Sequence, residues 1–75
     1  SNSLVSIIIP TYNRAHLIGE TLESVKAQTY SNWECIIIDD HSSDDTETII
    51  SHYTKSDLRF KYHKRPKKSA KNHII

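Results

Sequence analysis

The sequence predicts an α/β fold with parallel strands in the order βαβαβ, and three observations carry that prediction. Two short runs, Val5 to Ile9 and Trp33 to Ile38, are rich in β-branched residues and nearly continuous in apolar character, which suits strands of a parallel sheet covered on both faces. Between and after them lie segments whose apolar residues recur at helical spacing, and these are long enough to serve as crossovers. Strands joined by helices are parallel, and such crossovers are right-handed.

The elements follow in order. Val5-Ser6-Ile7-Ile8-Ile9 is the first strand, stopped by Pro10, and Thr11-Tyr12-Asn13 leaves it as a loop with Asn13 placed to cap a helix. Residues 14–28 form that helix, with Leu17, Ile18, Leu22 and Val25 as its buried stripe and Glu20, Glu23 and Lys26 toward water. Gly19 costs this helix about 1 kcal/mol relative to Ala, a penalty that suggests close packing against the sheet. The second strand, Trp33 to Ile38, runs straight into Asp39-Asp40-His41-Ser42-Ser43-Asp44. A second helix begins near Asp44, whose spacing to Glu47 fits a capping box, and Ile49, Ile50 and Tyr53 supply its apolar face. Ser56-Asp57 turns the chain into a third strand, Leu58 to His63, with Phe60 and Tyr62 on one side. Ser69 to Ile75 is expected to open a third helix.

Composition narrows the class. With 75 residues the chain is one small domain or a piece of a larger one, and domains of this size are marginal without added support. Cys35 is the only cysteine, so no internal disulfide or Cys-based zinc cage is possible; a lone cysteine in an apolar run reads as a small core residue. The five histidines (His16, His41, His52, His63, His73) show no metal-ligand spacing and read as surface residues. No apolar run approaches the roughly 18 residues that span a bilayer, and Ser1-Asn2 reads as a remnant of tag removal. Charge is divided unevenly. Residues 1–58 hold three basic residues against all nine acids, whereas residues 59–75 hold seven basic residues and no acid. That tail is able to attract phosphate, but it lacks the interleaved aromatics of single-strand nucleic-acid binders apart from Tyr62. It reads first as a solvated face, with no nucleic-acid partner expected.

In an open parallel sheet, ligands bind outside the carboxyl ends of the strands. Two loops emerge there, Pro10-Thr11-Tyr12-Asn13-Arg14 and Asp39 to Asp44. A single glycine rules out both glycine-rich phosphate loops, so any nucleotide must be held by side chains. Tyr12 offers a flat face to a base, a carboxylate accepts the N3–H of uracil, and Arg14 suits a phosphate. Each residue also has a plain alternative at this point: Tyr12 covering the sheet edge, Asp39 capping backbone N–H groups of its own loop, Asp44 capping a helix. A receiver-type phosphoacceptor is disfavoured, because there the acidic pair follows the first strand, which here ends in Pro-Thr-Tyr-Asn.

The strings Val5-Ser6-Ile7-Ile8-Ile9-Pro10-Thr11-Tyr12-Asn13-Arg14, Leu22-Glu23-Ser24-Val25 with Gln28-Thr29-Tyr30, and Glu34-Cys35-Ile36-Ile37-Ile38-Asp39-Asp40-His41-Ser42-Ser43-Asp44-Asp45-Thr46 closely resemble glycosyltransferase family 2. Three motifs in register from about Leu4 to Tyr62 make the resemblance specific. It implies a Rossmann-like sheet that is the first part of a GT-A fold, with residues 1–75 as the nucleotide-sugar-binding portion. Pro10 and Tyr12 lie where the family surrounds and stacks on the base, commonly uracil, and Thr11, Asn13 and Arg14 complete that loop. Asp40 matches the carboxylate that contacts the base, with Asp39 beside it at the strand end, and Ser42 and Asp44 match supporting positions.

The same resemblance implies an inverting enzyme that transfers a sugar from a nucleotide-diphosphate donor, a UDP-sugar, to a hydroxyl of a saccharide or lipid-linked acceptor. It implies Mg²⁺ or Mn²⁺ on an Asp-x-Asp motif and a separate carboxylate base, in the cytoplasm or at the cytoplasmic face of a membrane. No Asp-x-Asp triplet occurs in the sequence, so the metal ligands and the catalytic base are expected past residue 75 and no metal is expected to be held by this chain. Ser69-Ala70-Lys71-Asn72 keeps only the end of the family's next motif, which leaves the Lys-rich stretch before it as a candidate grip for the diphosphate. The alternative reading is a Rossmann-like module that binds a nucleotide without catalysis.

Overall fold

A computed structural model of the chain describes residues 3–66. Five elements follow in the expected order: β1 (Val5–Thr11), α1 (Ala15–Ala27), β2 (Trp33–Asp39), α2 (Thr46–Ser56) and β3 (Phe60–Lys64). The helix expected over Ser69 to Ile75 lies outside the described residues. All pairing is parallel, in the sheet order β1-β2-β3, with Ile7 opposite Cys35 and Cys35 opposite Phe60.

That order places both helices on one face. Two right-handed crossovers that step in the same direction put their helices on the same side of a sheet. The core therefore forms between Ile18 and Leu22 of α1, Ile50 of α2, and Trp33, Cys35, Ile37 and Phe60 of the strands. Trp33 and Tyr53 both meet Phe60 edge-on, with centroids 5.2 and 5.6 Å apart, an arrangement aromatic quadrupoles favour. Arg59 lies 3.9 Å over the Trp33 ring while its guanidinium pairs with Asp57 at 2.8 Å.

Burial on both faces of the strands is not what the described residues show. β2 alternates buried and half-buried positions, and on the face away from the helices Ile8 is 54% exposed. Leu17, placed in the buried stripe of α1, is also exposed, beside the edge of β1 that pairs with no strand among the described residues. β1 runs through Pro10 to Thr11 rather than stopping before the proline. The reason is position. Val5 N–H donates to Asn32 O and Thr11 O accepts from Asp40 N–H, so odd-numbered residues address β2 and Pro10 faces outward. Among the described residues β1 is an edge strand, and such a strand tolerates a missing donor on the side where no described strand pairs with it.

Gly19 packs against α2, not the sheet: a Cβ there would lie 3.8 Å from the Tyr53 hydroxyl and 3.9 Å from Ile49 Cγ2. Cys35 is fully buried, as expected, and burial pushes its thiol up to about 11.

Candidate functional site

The site is assembled by hydrogen bonds between two loops far apart in sequence. Asn13 sits at φ 48°, in the left-handed region that asparagine enters more readily than most residues. It does not cap α1. Its side-chain oxygen instead crosses to the other loop and accepts from Ser43 N–H at 2.8 Å and Asp44 N–H at 3.3 Å. In return, that loop caps α1: Arg14 N–H donates to Thr46 Oγ1 at 2.9 Å and Ala15 N–H to Asp44 Oδ2 at 3.2 Å. The capping box expected between Asp44 and Glu47 is also absent. Asp44 accepts from the N–H and hydroxyl of Thr46, and Glu47 pairs with Lys64 at 2.9 Å. The Thr46 hydroxyl, with help from the backbone N–H groups, holds the Asp44 carboxyl below its usual range.

Asp39 anchors this arrangement from below. It is fully buried at the end of β2. One oxygen accepts from the Ser42 N–H at 2.9 Å and from the Ser42 hydroxyl, and the other accepts from the Tyr62 hydroxyl at 2.6 Å. The Ser42 hydroxyl in turn accepts Asn13 N–H at 2.8 Å. A chain of contacts thus runs from β3 through Asp39 and Ser42 into the loop that carries Tyr12. Burial, with the Asp39 carboxylate behind it, pushes the Tyr62 phenol well above its usual range. Asp39 occupies the capping role that the sequence left open for it, and it lies beneath the site rather than on its wall.

Above it opens a groove of ≈ 330 Å³ at the carboxyl edge of the sheet. Pro10, Thr11, Tyr12 and Arg14 line it from the end of β1 and the first loop, Ile38 from β2, and Asp40 and Arg65 from one residue past β2 and β3. Of the residues singled out from sequence, these first-loop residues and Asp40 therefore meet at one place; Asn13 and Asp39 hold the rim together behind them. Tyr12 is 52% exposed, its ring available to a ligand. Thr11 is 7% exposed, and its hydroxyl has no hydrogen-bond partner among the described residues. His41, read as a surface residue, is half-buried at φ 62° with Nδ1 enclosed; His16, His52 and His63 are exposed as expected, and His73 lies outside the described residues.

Sequence reading missed Tyr62, Thr46 and Arg65. A signal existed for two of them. The alternation that puts Phe60 toward the helices puts Tyr62 there too, at the register position of Ile37, and Arg65 is one step past the Asp39–Lys64 pair. Thr46 had no signal, since its partners come from residues 14 and 44 across the rim.

A family profile described as Glycosyl transferase family 2 matches residues 6–73. The chain belongs to glycosyltransferase family 2. Two family relatives are similar over most of the chain. The UDP-Glc:alpha-D-GlcNAc-diphosphoundecaprenol beta-1,3-glucosyltransferase of Escherichia coli is 45% identical over 56 residues, which cover 75% of this chain and 22% of that protein. The GalNAc(5)-diNAcBac-PP-undecaprenol beta-1,3-glucosyltransferase of Campylobacter jejuni is 40% identical over 58 residues, 77% of this chain and 19% of that protein. Among solved structures, the mannosyltransferase PcManGT of Pyrobaculum calidifontis, in complex with GDP-Man and Mn²⁺, superposes with a TM-score of 0.77 at 27% identity. It covers 95% of this chain and 22% of its own. The family 2 chain thus spans about a fifth of the length of these relatives, and its βαβαβ sheet is that of a GT-A glycosyltransferase.

Proposed function

We propose that the full-length protein is an inverting glycosyltransferase that moves a sugar from a UDP-sugar to a hydroxyl of a lipid-linked saccharide, and that this chain holds the nucleotide. One observation carries the reading most: Tyr12 and Asp40, an aromatic face and a carboxylate, line a single groove whose two loops are fixed to each other by six hydrogen bonds. The base stacks on Tyr12, and Asp40 accepts its N3–H. Arg14, on the same wall, faces the diphosphate, and the Thr11 hydroxyl is left to bond a ligand atom. Pro10 closes the floor, while Asn13 and Asp39 keep the loops in place. A rim fixed before binding costs little ordering when the nucleotide arrives.

The family's use of Mg²⁺ or Mn²⁺ meets no matching site in this part of the protein. Among the described residues no group of three His, Cys, Asp or Glu side chains is placed to hold a cation. The cation ligands and the general base belong to other residues of the full-length protein, and the work of this chain is binding and orientation. Lipid-linked acceptors, as in the names of the two glucosyltransferase relatives, support a reaction at the cytoplasmic face of a membrane; no helix among the described residues is long and apolar enough to cross one.

Calorimetric titration of UDP into the full-length protein tests this reading. Stacking of a base on an aromatic ring is worth about 1–3 kcal/mol by alanine substitution, so Tyr12→Ala is expected to weaken UDP about tenfold or more. Unchanged affinity in that variant would remove Tyr12 from the site and the reading with it.

A further inference from the structure

Helix α1 begins without help from its own sequence. Arg14, at its N-cap position, makes no capping bond with its side chain, and no acid stands in the first turn. Yet the first N–H groups of a helix have no partner within it. The two acceptors that α1 uses come from the other loop: Arg14 N–H donates to Thr46 Oγ1 at 2.9 Å and Ala15 N–H to Asp44 Oδ2 at 3.2 Å. Those acceptors are themselves joined, since the Thr46 hydroxyl donates to Asp44 Oδ1. Thr46 is fully buried, and neither it nor Asp44 lines the groove.

The segment that these bonds fix forms the first wall of the groove. Tyr12 and Arg14 line it on either side of Asn13, which sits at φ 48°. A left-handed turn at a residue other than glycine persists only where its surroundings hold it. On one side, Asn13 N–H is held by Ser42 Oγ and its side chain by the N–H groups of Ser43 and Asp44. On the other, the Thr46–Asp44 pair holds the chain immediately after it. This second grip depends on one buried hydroxyl. Without it Arg14 N–H loses its acceptor, and Asp44 Oδ1 keeps only the Thr46 N–H at 3.0 Å.

Resting on the reading of this groove as a nucleotide site, we infer that Thr46 is a positioning residue for the nucleotide. Through Asp44 and the first N–H groups of α1, it sets the direction in which Tyr12 and Arg14 leave the left-handed turn. It touches no ligand. Its contribution is ordering completed before binding, which a loosened loop has to repeat each time the nucleotide arrives.

The test is calorimetric titration of UDP into the full-length protein, wild type, Thr46→Val and Thr46→Ser, each also in a Tyr12→Ala background. Thr46→Val keeps the shape of the side chain and removes the hydroxyl. It is expected to weaken UDP about fivefold, the equivalent of one hydrogen bond, and Thr46→Ser to restore the affinity. In the Tyr12→Ala background the loss should shrink, because both substitutions act on the same contact. Unchanged affinity in Thr46→Val would overturn the inference. So would a loss of equal size with and without the Tyr12 ring, which is damage not routed through the loop, or a failure of Thr46→Ser to restore binding. All three outcomes leave the groove a nucleotide site; absence of UDP binding to wild type would refute that reading and the inference together. Should Thr46→Val fail to fold, Asp44→Ala, at an exposed position, removes the same grip and carries the same expectations.

Discussion

At the scale of single residues, the adjacent acids Asp39 and Asp40 show how burial divides two identical side chains. The period of a strand sends neighbours to opposite faces, so Asp39 points under the helices and Asp40 toward the groove. Asp39 loses all contact with solvent and is compensated by Tyr62 and by both donors of Ser42. Hydrogen bonds to a buried charge are worth about 1.5–3 kcal/mol, and orphaning the donors adds to the loss. Asp39→Ala is therefore expected to lower stability by about 3 kcal/mol, and Tyr62→Phe by about 1–2 kcal/mol, as read by chemical denaturation of the full-length protein. In Tyr62→Phe the UDP affinity of the folded fraction should stay within about threefold of wild type. A large loss of affinity without loss of stability would instead make Tyr62 a ligand contact. The sequence showed two acids at a strand end; it did not show which one would be used up by the fold, because Tyr62 lies 23 residues away.

Among the elements, helix caps were where the sequence misled. Asn13 and Asp44 are good cap residues in good positions, and local spacing assigns each to its own helix. The structure sends Asn13 to the neighbouring loop and divides Asp44 between two helices, one carboxylate oxygen on Thr46 at the start of α2 and the other on Ala15, so that α1 begins under Thr46 and Asp44 and the segment before α2 hangs from Asn13. Local pattern cannot foresee an exchange between residues about 30 positions apart. Helix and strand identities were legible, since they rest on short-range periodicity; Pro10 inside β1 was not, since its tolerance depends on β1 being an edge among the described strands. Gly19 offers a clean test at this level. It faces ordinary van der Waals space beside Tyr53 and Ile49, and its backbone is helical, so Gly19→Ala should stabilise the protein by about 0.5–1 kcal/mol. A destabilised variant would mean that α1 and α2 sit closer than the structure has them.

For the molecule as a whole, the order of strands does most of the functional work. Parallel β1, β2 and β3 end at one rim, with Thr11, Asp39 and Lys64 in register, and the three residues that follow them, Tyr12, Asp40 and Arg65, line one groove. The first two were visible in the sequence as loop residues after apolar strands. Arg65 was hidden within a run of basic residues, and only the ladder distinguishes it from Lys61 and Lys64, which are committed to Glu34 and Glu47. The exposed side of the sheet, with Ile8 and the half-buried Ile36 and Ile38, also explains why continuous apolar strands looked as though they were covered twice. The reading of the groove comes down to one hydrogen bond, from uracil N3–H to the Asp40 carboxylate. Proton NMR of UDP bound to the full-length protein measures it directly. A downfield imino resonance, protected from exchange in wild type and lost in Asp40→Ala, is the predicted result; a resonance that survives the substitution would contradict it.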